Sequence, residues 1–442
     1  MPGAPGMALG HPFLLGKKAS NCPRNLNVKS AWVILSALIV GMLLGVGVEG
    51  LSPGGASASL RIVEPVGLLW LNALKMTIVP LIVALLVTGI TATADAARAG
   101  TLAARAVATF IVAIVITGIM ALLLTPLLLH VFPLSASAAE ALRRGLGGAL
   151  EAPPSPTFAD YLLSLVPTNP IAAAAETAVL PLIVFTTIFA FAITRIEPEQ
   201  RASLSNLFKA LGNAMLVVIG WVLALAPIGV FALGYALAVK AGFAAFGGLL
   251  HYVLIISAIG AACLVLGLIL AWLVAGVAPP RFIRAMIPAF AVALSTQSSL
   301  ASLPPMLKAS EALGVDPKKA DIVLPLAVAL FRFTSTAMNL AVVIYIAWLF
   351  GIGLTPWTMA IGLTVAVAAA LSAVSLPGSI SFVTSIAPIA VSMGVPVAPL
   401  GLLVAVETFP DIWRTLGNVV ADVAATKYAA DAVADEQAGE TP

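Results

Sequence analysis

The chain has 442 residues, 61% of them hydrophobic and only 9% charged, with a formal net charge of +3. Soluble domains carry about 25% charged residues, so this composition excludes an ordinary soluble domain and points to a polytopic membrane protein. The charge is too small and scattered for a nucleic-acid surface, and two cysteines, Cys22 and Cys263, make no disulfide framework.

Residues 1–29 carry Lys17, Lys18, Arg24 and Lys29 and read as a cytoplasmic N-terminal segment. The run SAWVILSALIVGMLLGVGV (30–48) is too long for a signal peptide and lacks a small-residue cleavage site, so it reads as a retained first helix. About 20 mostly apolar residues span a bilayer as a helix, and spans are expected near 30–50, 66–91, 104–132, 177–195, 206–237 and 250–277. Barrel strands would alternate apolar and polar residues, which these segments do not. Two further spans lie near 320–352 and 398–428, and residues 429–442 are acidic and small, the composition of a disordered cytoplasmic tail.

Two apolar segments, 281–311 and 359–393, are interrupted by Ser, Gly and Pro. The first contains STQSSLASLPP (295–305), the second LSAVSLPGSISF (371–382), and both carry Ser-Leu-Pro after a serine-containing turn. Proline suits the first turn of a helix, where its missing N–H costs nothing. Each segment is therefore expected to enter the membrane and return as a helical hairpin, with free N–H groups and a positive dipole end at its tip. Broken segments in corresponding positions of two halves point to a transporter's binding site. With both segments re-entrant and the N-terminus cytoplasmic, Arg61, Arg143, Arg144 and Lys240 fall outside, and Lys75, Arg332 and Arg414 fall within the membrane. The other 15 of the 22 Lys and Arg are then cytoplasmic. That bias supports eight transmembrane helices plus two re-entrant helical hairpins, with both termini cytoplasmic.

The last apolar stretch, FPDIWRTLGNVVAD (409–422), is the least suited to lipid. Positions 411, 415, 418 and 422 step by 4, 3 and 4 and share one helix face, which Glu407 extends by a turn. Arg414 lies three residues after Asp411. A charge at the bilayer centre costs roughly 2.5–3.5 kcal/mol on insertion scales, so this face must line a polar cavity. A guanidinium binds a carboxylate bidentately, a carboxylate takes an ammonium, and hairpin-tip N–H groups take a second carboxylate. That set suits one amine and two carboxylates, an acidic amino acid.

These residues carry a resemblance. VPTNPIAAAAETAVLPLIVFTTIFAFAI (166–193), LKMTIVPLIVALLVTGI (74–90), APIGVFAL (226–233) and DIWRTLGNVVAD (411–422) together resemble the dicarboxylate/amino acid:cation symporter family, the glutamate transporter homologues, over about residues 30 to 428. The resemblance implies an all-α polytopic membrane protein with an elevator fold, a homotrimer in a bacterial inner membrane. Residues 30–280 would be mainly scaffold and trimerisation helices one to six, with three and six moving with the transport part, and 281–428 the transport core. By resemblance, Asp411 binds the substrate amine and Arg414 a side-chain carboxylate. Thr415 and Asn418 complete the pocket, and Ser298, Ser299, Leu376, Pro377 and Gly378 bind and gate at the tips. Asp422 matches a sodium-site carboxylate, and Asn418 and Glu407 also belong to the cation-related set.

The sequence also departs from the family. Its seventh helix carries Asn-Met-Asp-Gly-Thr, and here the stretch is Phe331-Arg332-Phe333-Thr334-Ser335. Phenylalanine offers no oxygen to a hard cation, so the sodium sites at Phe331 and Phe333 look degenerate. The third helix, TFIVAIVITG (109–118), also lacks the family's Tyr and Thr-Ser pair. Arg332 is then expected either to pair structurally or to replace a bound sodium beside Asp422 or Asp411, with transport coupled to protons or to reduced or absent sodium. Gln297 stands where many bacterial members have arginine. The leading expectation is a symporter of glutamate, aspartate or a similar acidic amino acid. A C4-dicarboxylate or cystine symporter, and a substrate-gated anion channel or non-transporting sensor, stay open. His130 and His251 lie near helix ends without metal-like neighbours. No phosphate loop, zinc pattern or nucleophile elbow appears, so ATP-driven transport, enzymatic chemistry and a cofactor have no support.

Overall fold

The computed structural model describes residues 28–98, 101–146, 166–176, 179–242, 244–372 and 378–439, and among these every regular element is a helix. In chain order they are α1 (Val28–Leu51), α2 (Pro53–Lys75), α3 (Ile78–Arg98), α4 (Thr101–Val131), α5 (Ala136–Gly145), α6 (Pro170–Ala175), α7 (Val179–Ile193), α8 (Pro198–Ala224) and α9 (Ala226–Ala241). There follow α10 (Ala244–Leu273), α11 (Pro279–Thr296), α12 (Leu303–Ala312), α13 (Pro317–Leu330), α14 (Phe333–Phe350), α15 (Pro356–Ser372), α16 (Gly378–Ser392), α17 (Leu400–Leu403) and α18 (Thr408–Gly439). Among the described residues, five helical stretches are long and apolar enough to cross a membrane: Val33–Leu51, Thr101–Val131, Pro198–Ala224, Ala244–Leu273 and Pro317–Phe350.

Several expected spans are divided. The stretch 66–91 is split between α2 and α3 at Met76–Thr77. Pro80 accounts for this, because its ring excludes a helical carbonyl four residues back, at Met76. The stretch 206–237 is split at Leu225, where Pro227 sits in the first turn of α9. The break exposes carbonyls, and Trp70 Nε1 donates to the Val222 carbonyl at 2.9 Å, as irregular backbone at membrane depth requires. The stretch 398–428 is divided by the turn at 404–407 before α18.

The tail also differs from expectation. Residues 429–439, read from composition as disordered, continue α18. Ala429 and Ala430 are buried, Lys319 Nζ donates to the Ala430 carbonyl at 2.8 Å, and an Arg105 Nη donates to that of Ala432 at 2.7 Å. Alanine is the best helix former, and packing holds what acidity alone would leave loose. Residues 1–27 and 440–442 lie outside the described residues.

Both interrupted segments form packed helix pairs, α11 with α12 and α15 with α16. Pro304 stands in the first turn of α12 after Ser302, as expected from the Ser-Leu-Pro pattern. The second tip, 373–377, lies outside the described residues. α1 and α2 lie against α9, and α3 against α7 and α8. α4 runs along α14, and α10 along α18. A separate apolar core joins α11, α12, α13 and α18 through Phe282, Met286, Met306, Leu324, Val419 and Val423.

Small residues let membrane helices approach closely. A Cβ on Gly41 of α1 would stand 2.5 Å from the Phe231 carbonyl oxygen of α9, a backbone contact that cannot swing aside. Gly41→Val is therefore expected to cost about 1–3 kcal/mol by overpacking. The thermal midpoint of the purified protein in detergent checks this, and an unchanged midpoint would show the two helices to be less tightly joined.

Candidate functional site

The site is built where two interrupted helices meet. α13 ends at Leu330 and α14 begins at Phe333, with Arg332 at φ −96°, ψ 62° between them. The first N–H groups of α14 lack intrahelical acceptors, and α18 supplies one. Asn418 Oδ1 accepts from the Thr334 N–H at 2.9 Å and lies 2.9 Å from the Thr334 hydroxyl, which also reaches the Arg414 carbonyl at 2.9 Å. Gly417 makes room, since a Cβ there would meet Thr334 Cγ2 at 2.4 Å. Asn418 thus caps the break in α14 from the neighbouring helix.

The charged residues follow on the same face. Glu407 sits just before α18, its carbonyl accepting the Asp411 N–H at 2.9 Å. Arg414 is buried, with one Nη 2.5 Å from Glu407 Oε1, the other 3.4 Å from Asn339 Oδ1, and Nε 3.6 Å from Asp411 Oδ1. Glu407 and Asp411 are buried too. Two carboxylates on different turns thus hold one guanidinium. Acidic groups at a helix start also face the positive dipole end. The Thr415 hydroxyl donates to the Asp411 carbonyl at 2.9 Å.

The first hairpin tip reaches this cluster. Gln297 closes α11 at φ 50°, the only non-glycine positive φ among the described residues. That conformation costs an L-residue about 1–2 kcal/mol, and the Gln297 side chain donates from Nε2 to the Thr408 carbonyl at 3.3 Å. Next to it, Ser298 carries the turn, its carbonyl accepting from the Ser302 hydroxyl at 3.0 Å, and Ser299 is buried. Leu376 and Pro377 lie outside the described residues, and Gly378 opens α16.

The positions expected to have lost cation ligands hold an aromatic cluster. Phe331 stacks on Phe110 with centroids 4.7 Å apart and meets Phe333 edge-on at 5.6 Å. Thr117, the nearby hydroxyl of α4, lies 2.8 Å from the Ile114 carbonyl and 2.9 Å from that of Phe333. Asp422 is fully buried and neither oxygen has a hydrogen-bond partner among the described residues. Arg332 is buried, with Nε and one Nη without hydrogen-bond partners among the described residues.

A model of the sodium:dicarboxylate symporter family matches residues 31–432 of this chain. The chain belongs to that family. Among its curated relatives, a proton/glutamate-aspartate symporter of Escherichia coli (strain K12) is 28% identical over 420 residues, covering 91% of this chain and 92% of that protein. A proton/sodium-glutamate symport protein of Bacillus subtilis (strain 168) is 26% identical over 404 residues, 89% of this chain and 92% of its own length. A C4-dicarboxylate transport protein of Laribacter hongkongensis (strain HLHK9) is 25% identical over 397 residues, covering 89% and 87%. Membership in this symporter family makes the protein a membrane transporter.

Asn339 and Thr334 are the contacts that spacing on the last helix alone misses. Their signal was a polar residue inside an apolar stretch, TSTAMNLAVV (334–343). Replacing Asn418 with Leu leaves the Thr334 N–H without its acceptor, an expected cost of about 1–3 kcal/mol. The thermal midpoint in detergent reads this, and a shift no larger than for a surface variant would remove the capping role.

Proposed function

We propose that this protein is a secondary transporter of acidic amino acids such as glutamate and aspartate, driven by protons and not by sodium. The observation that carries the reading is the side-by-side burial of Asp411 and Arg414, one partner for an ammonium and one for a carboxylate. Two relatives, from Escherichia coli and Bacillus subtilis, are named for glutamate and protons, which supports it. The relative from Laribacter hongkongensis favours a C4-dicarboxylate reading. Against it, a substrate with two carboxylates and no amine would meet the Asp411 carboxylate as a like charge.

The charge count supports protons. Three buried carboxylates, Glu407, Asp411 and Asp422, share the interior with two buried guanidiniums, Arg332 and Arg414, so the set has one excess negative charge and an acidic amino acid brings another. Unpaired charges away from water cost several kcal/mol each. Glu407 already holds the Arg414 fork at 2.5 Å, so a substrate carboxylate must displace it. Protonating Glu407 frees the guanidinium and removes a negative charge in one event, which couples proton and substrate. Arg332 plays the part of a fixed cation for Asp422, and Phe331 and Phe333 fill space that a cation's oxygen ligands would need.

The architecture we propose is eight spans with two re-entrant hairpins, both termini cytoplasmic, in a homotrimer in a bacterial inner membrane. α4 and α10 pack along α14 and α18, which supports their moving with the transport core as an elevator.

In proteoliposomes with potassium replacing all sodium, labelled glutamate is expected to accumulate under an acid-outside pH gradient and to stop accumulating when a protonophore is added. Uptake that requires sodium and ignores the gradient would overturn proton coupling. Asp411→Asn is expected to lower glutamate uptake at least about tenfold, a loss of ~1.4 kcal/mol, and unchanged uptake removes the amine-partner role.

A further inference from the structure

A groove runs along the outer side of the helices that carry the charged site. Its cavity measures about 380 Å³ and is lined by α4, α10 and α18. On α4 the lining positions are 105, 108, 109, 112, 113 and 116, a single helix face. On α18 they are 421, 424, 425 and 428, again one face. Small residues open the space: Ala108 and Ala113 on α4, Gly267 on α10, and Ala421, Ala424 and Ala425 on α18. The three α18 alanines are buried and form the floor, while Val112 and Ile116 of α4 and Val274 of α10 are exposed and form the rim. The rings of Phe331 and Phe333 wall it where α13 gives way to α14.

Three observations say what fits it. The rim is apolar, and α4 and α10 are both long and apolar enough to cross a membrane, so the groove opens toward lipid. Its length is that of one leaflet: the rise along α4 from Arg105 to Ile116 is about 16 Å, and half of a hydrocarbon core is about 15 Å. Its walls turn basic at one end. Arg105 is the one charged residue lining it among the described residues, and Tyr428, a residue type suited to the membrane interface, lines the same end. One Arg105 Nη donates to the Ala432 carbonyl at 2.7 Å, and Lys319 Nζ donates to the Ala430 carbonyl at 2.8 Å. A carbonyl carries no formal charge, so these bonds place cations at the mouth without cancelling them. Lys427 pairs with Asp431 at the same level of α18. The Thr109 hydroxyl donates to the Arg105 carbonyl at 2.9 Å, which leaves the α4 wall below Arg105 apolar in character.

We propose that this groove is a site for an anionic phospholipid. One acyl chain lies along α4 over Ala424 and Ala425 and reaches the Phe333 ring, and the phosphate sits beside Arg105. A chain of methylenes suits walls that offer it no hydrogen bond, and an amino acid does not. Atoms lining an unfilled groove forfeit contacts on one side, which the acyl chain restores, and the phosphate answers the cation at the mouth. In the orientation proposed above this end is cytoplasmic, the side where basic residues between helices meet anionic headgroups. The site does not depend on which ion drives transport. The lipid serves as a packing partner, joining α4 to α10 and α18 where the side chains leave a gap.

The test uses the full-length protein in phosphatidylcholine bilayers that carry a minor share of a probe phospholipid with a diazirine in its acyl chain. The probe's headgroup is phosphatidylglycerol in one series and phosphatidylcholine in the other, and cross-linked positions are read by mass spectrometry. The phosphatidylglycerol probe is expected to label groove positions such as Val112 and Ala425 about fivefold more than the phosphatidylcholine probe, the discrimination that one basic residue near the surface supplies. Arg105→Gln is expected to remove that preference, and Arg105→Lys, which keeps the charge, to retain it. Ala108 is exposed, so Ala108→Phe obstructs the groove without entering the core and is expected to abolish groove labelling by either probe. Leu123→Phe, at an exposed position of α4 outside the groove, is expected to change nothing. Labelling no denser in the groove than at exposed positions such as Leu254 marks ordinary surrounding lipid and overturns the site. Equal labelling by the two headgroups, or a preference that survives Arg105→Gln, overturns the anionic assignment. A groove left unlabelled in the wild type, filled by residues 1–27 or by a second copy of the chain, overturns the proposal as well.

Discussion

Everything in the interior is arranged around one guanidinium that cannot be left alone. Arg414 is buried among helices fit to span a bilayer, and an unpaired cation there is among the most expensive groups a protein can hold. Glu407 and Asp411 answer it from the turn before α18 and from the first turn itself, and Asn339 adds a neutral acceptor from α14. A broken helix start is what puts two carboxylates within reach of one side chain. The turn at 404–407 therefore belongs to the charge cluster as much as to the backbone.

The breaks share a logic. At each of them backbone groups lose their helical partners, and the fold supplies others from a neighbouring helix: Trp70 for the carbonyl before α9, Asn418 for the start of α14. Such partners tie the irregular points to particular neighbours and give them one geometry. Polar groups can then stand on unwound backbone without losing definition.

Much of this was legible in the chain. The 4-3-4 spacing from Asp411 to Asp422 places those residues on one face, the serine–proline pattern marks the first hairpin turn, and Phe331 and Phe333 form the aromatic cluster that their side chains foreshadow. What escaped was of two kinds. Composition windows slide across a proline in the first turn of a helix, because Pro80 and Pro227 interrupt hydrogen bonds without interrupting hydrophobicity. Partners from distant segments, such as Asn339 for Arg414 or Trp70 for the Val222 carbonyl, depend on which faces meet, and no local periodicity carries that. The end of α18 escaped for a related reason: the carbonyls of Ala430 and Ala432 are held by Lys319 and Arg105 from elsewhere in the chain.

The cap that Asn418 places on α14 has a mechanical meaning. With Gly417 allowing near-contact and Thr334 bonded to both Asn418 and the Arg414 backbone, the two helices bearing the charges are clasped at the point where each would otherwise bend. In the elevator motion proposed above, a displacement of one drags the other along, so strain is borne at the hairpins and outer packing surfaces and not between the charged groups. The proposed pocket then travels as stiff cargo while its surroundings yield.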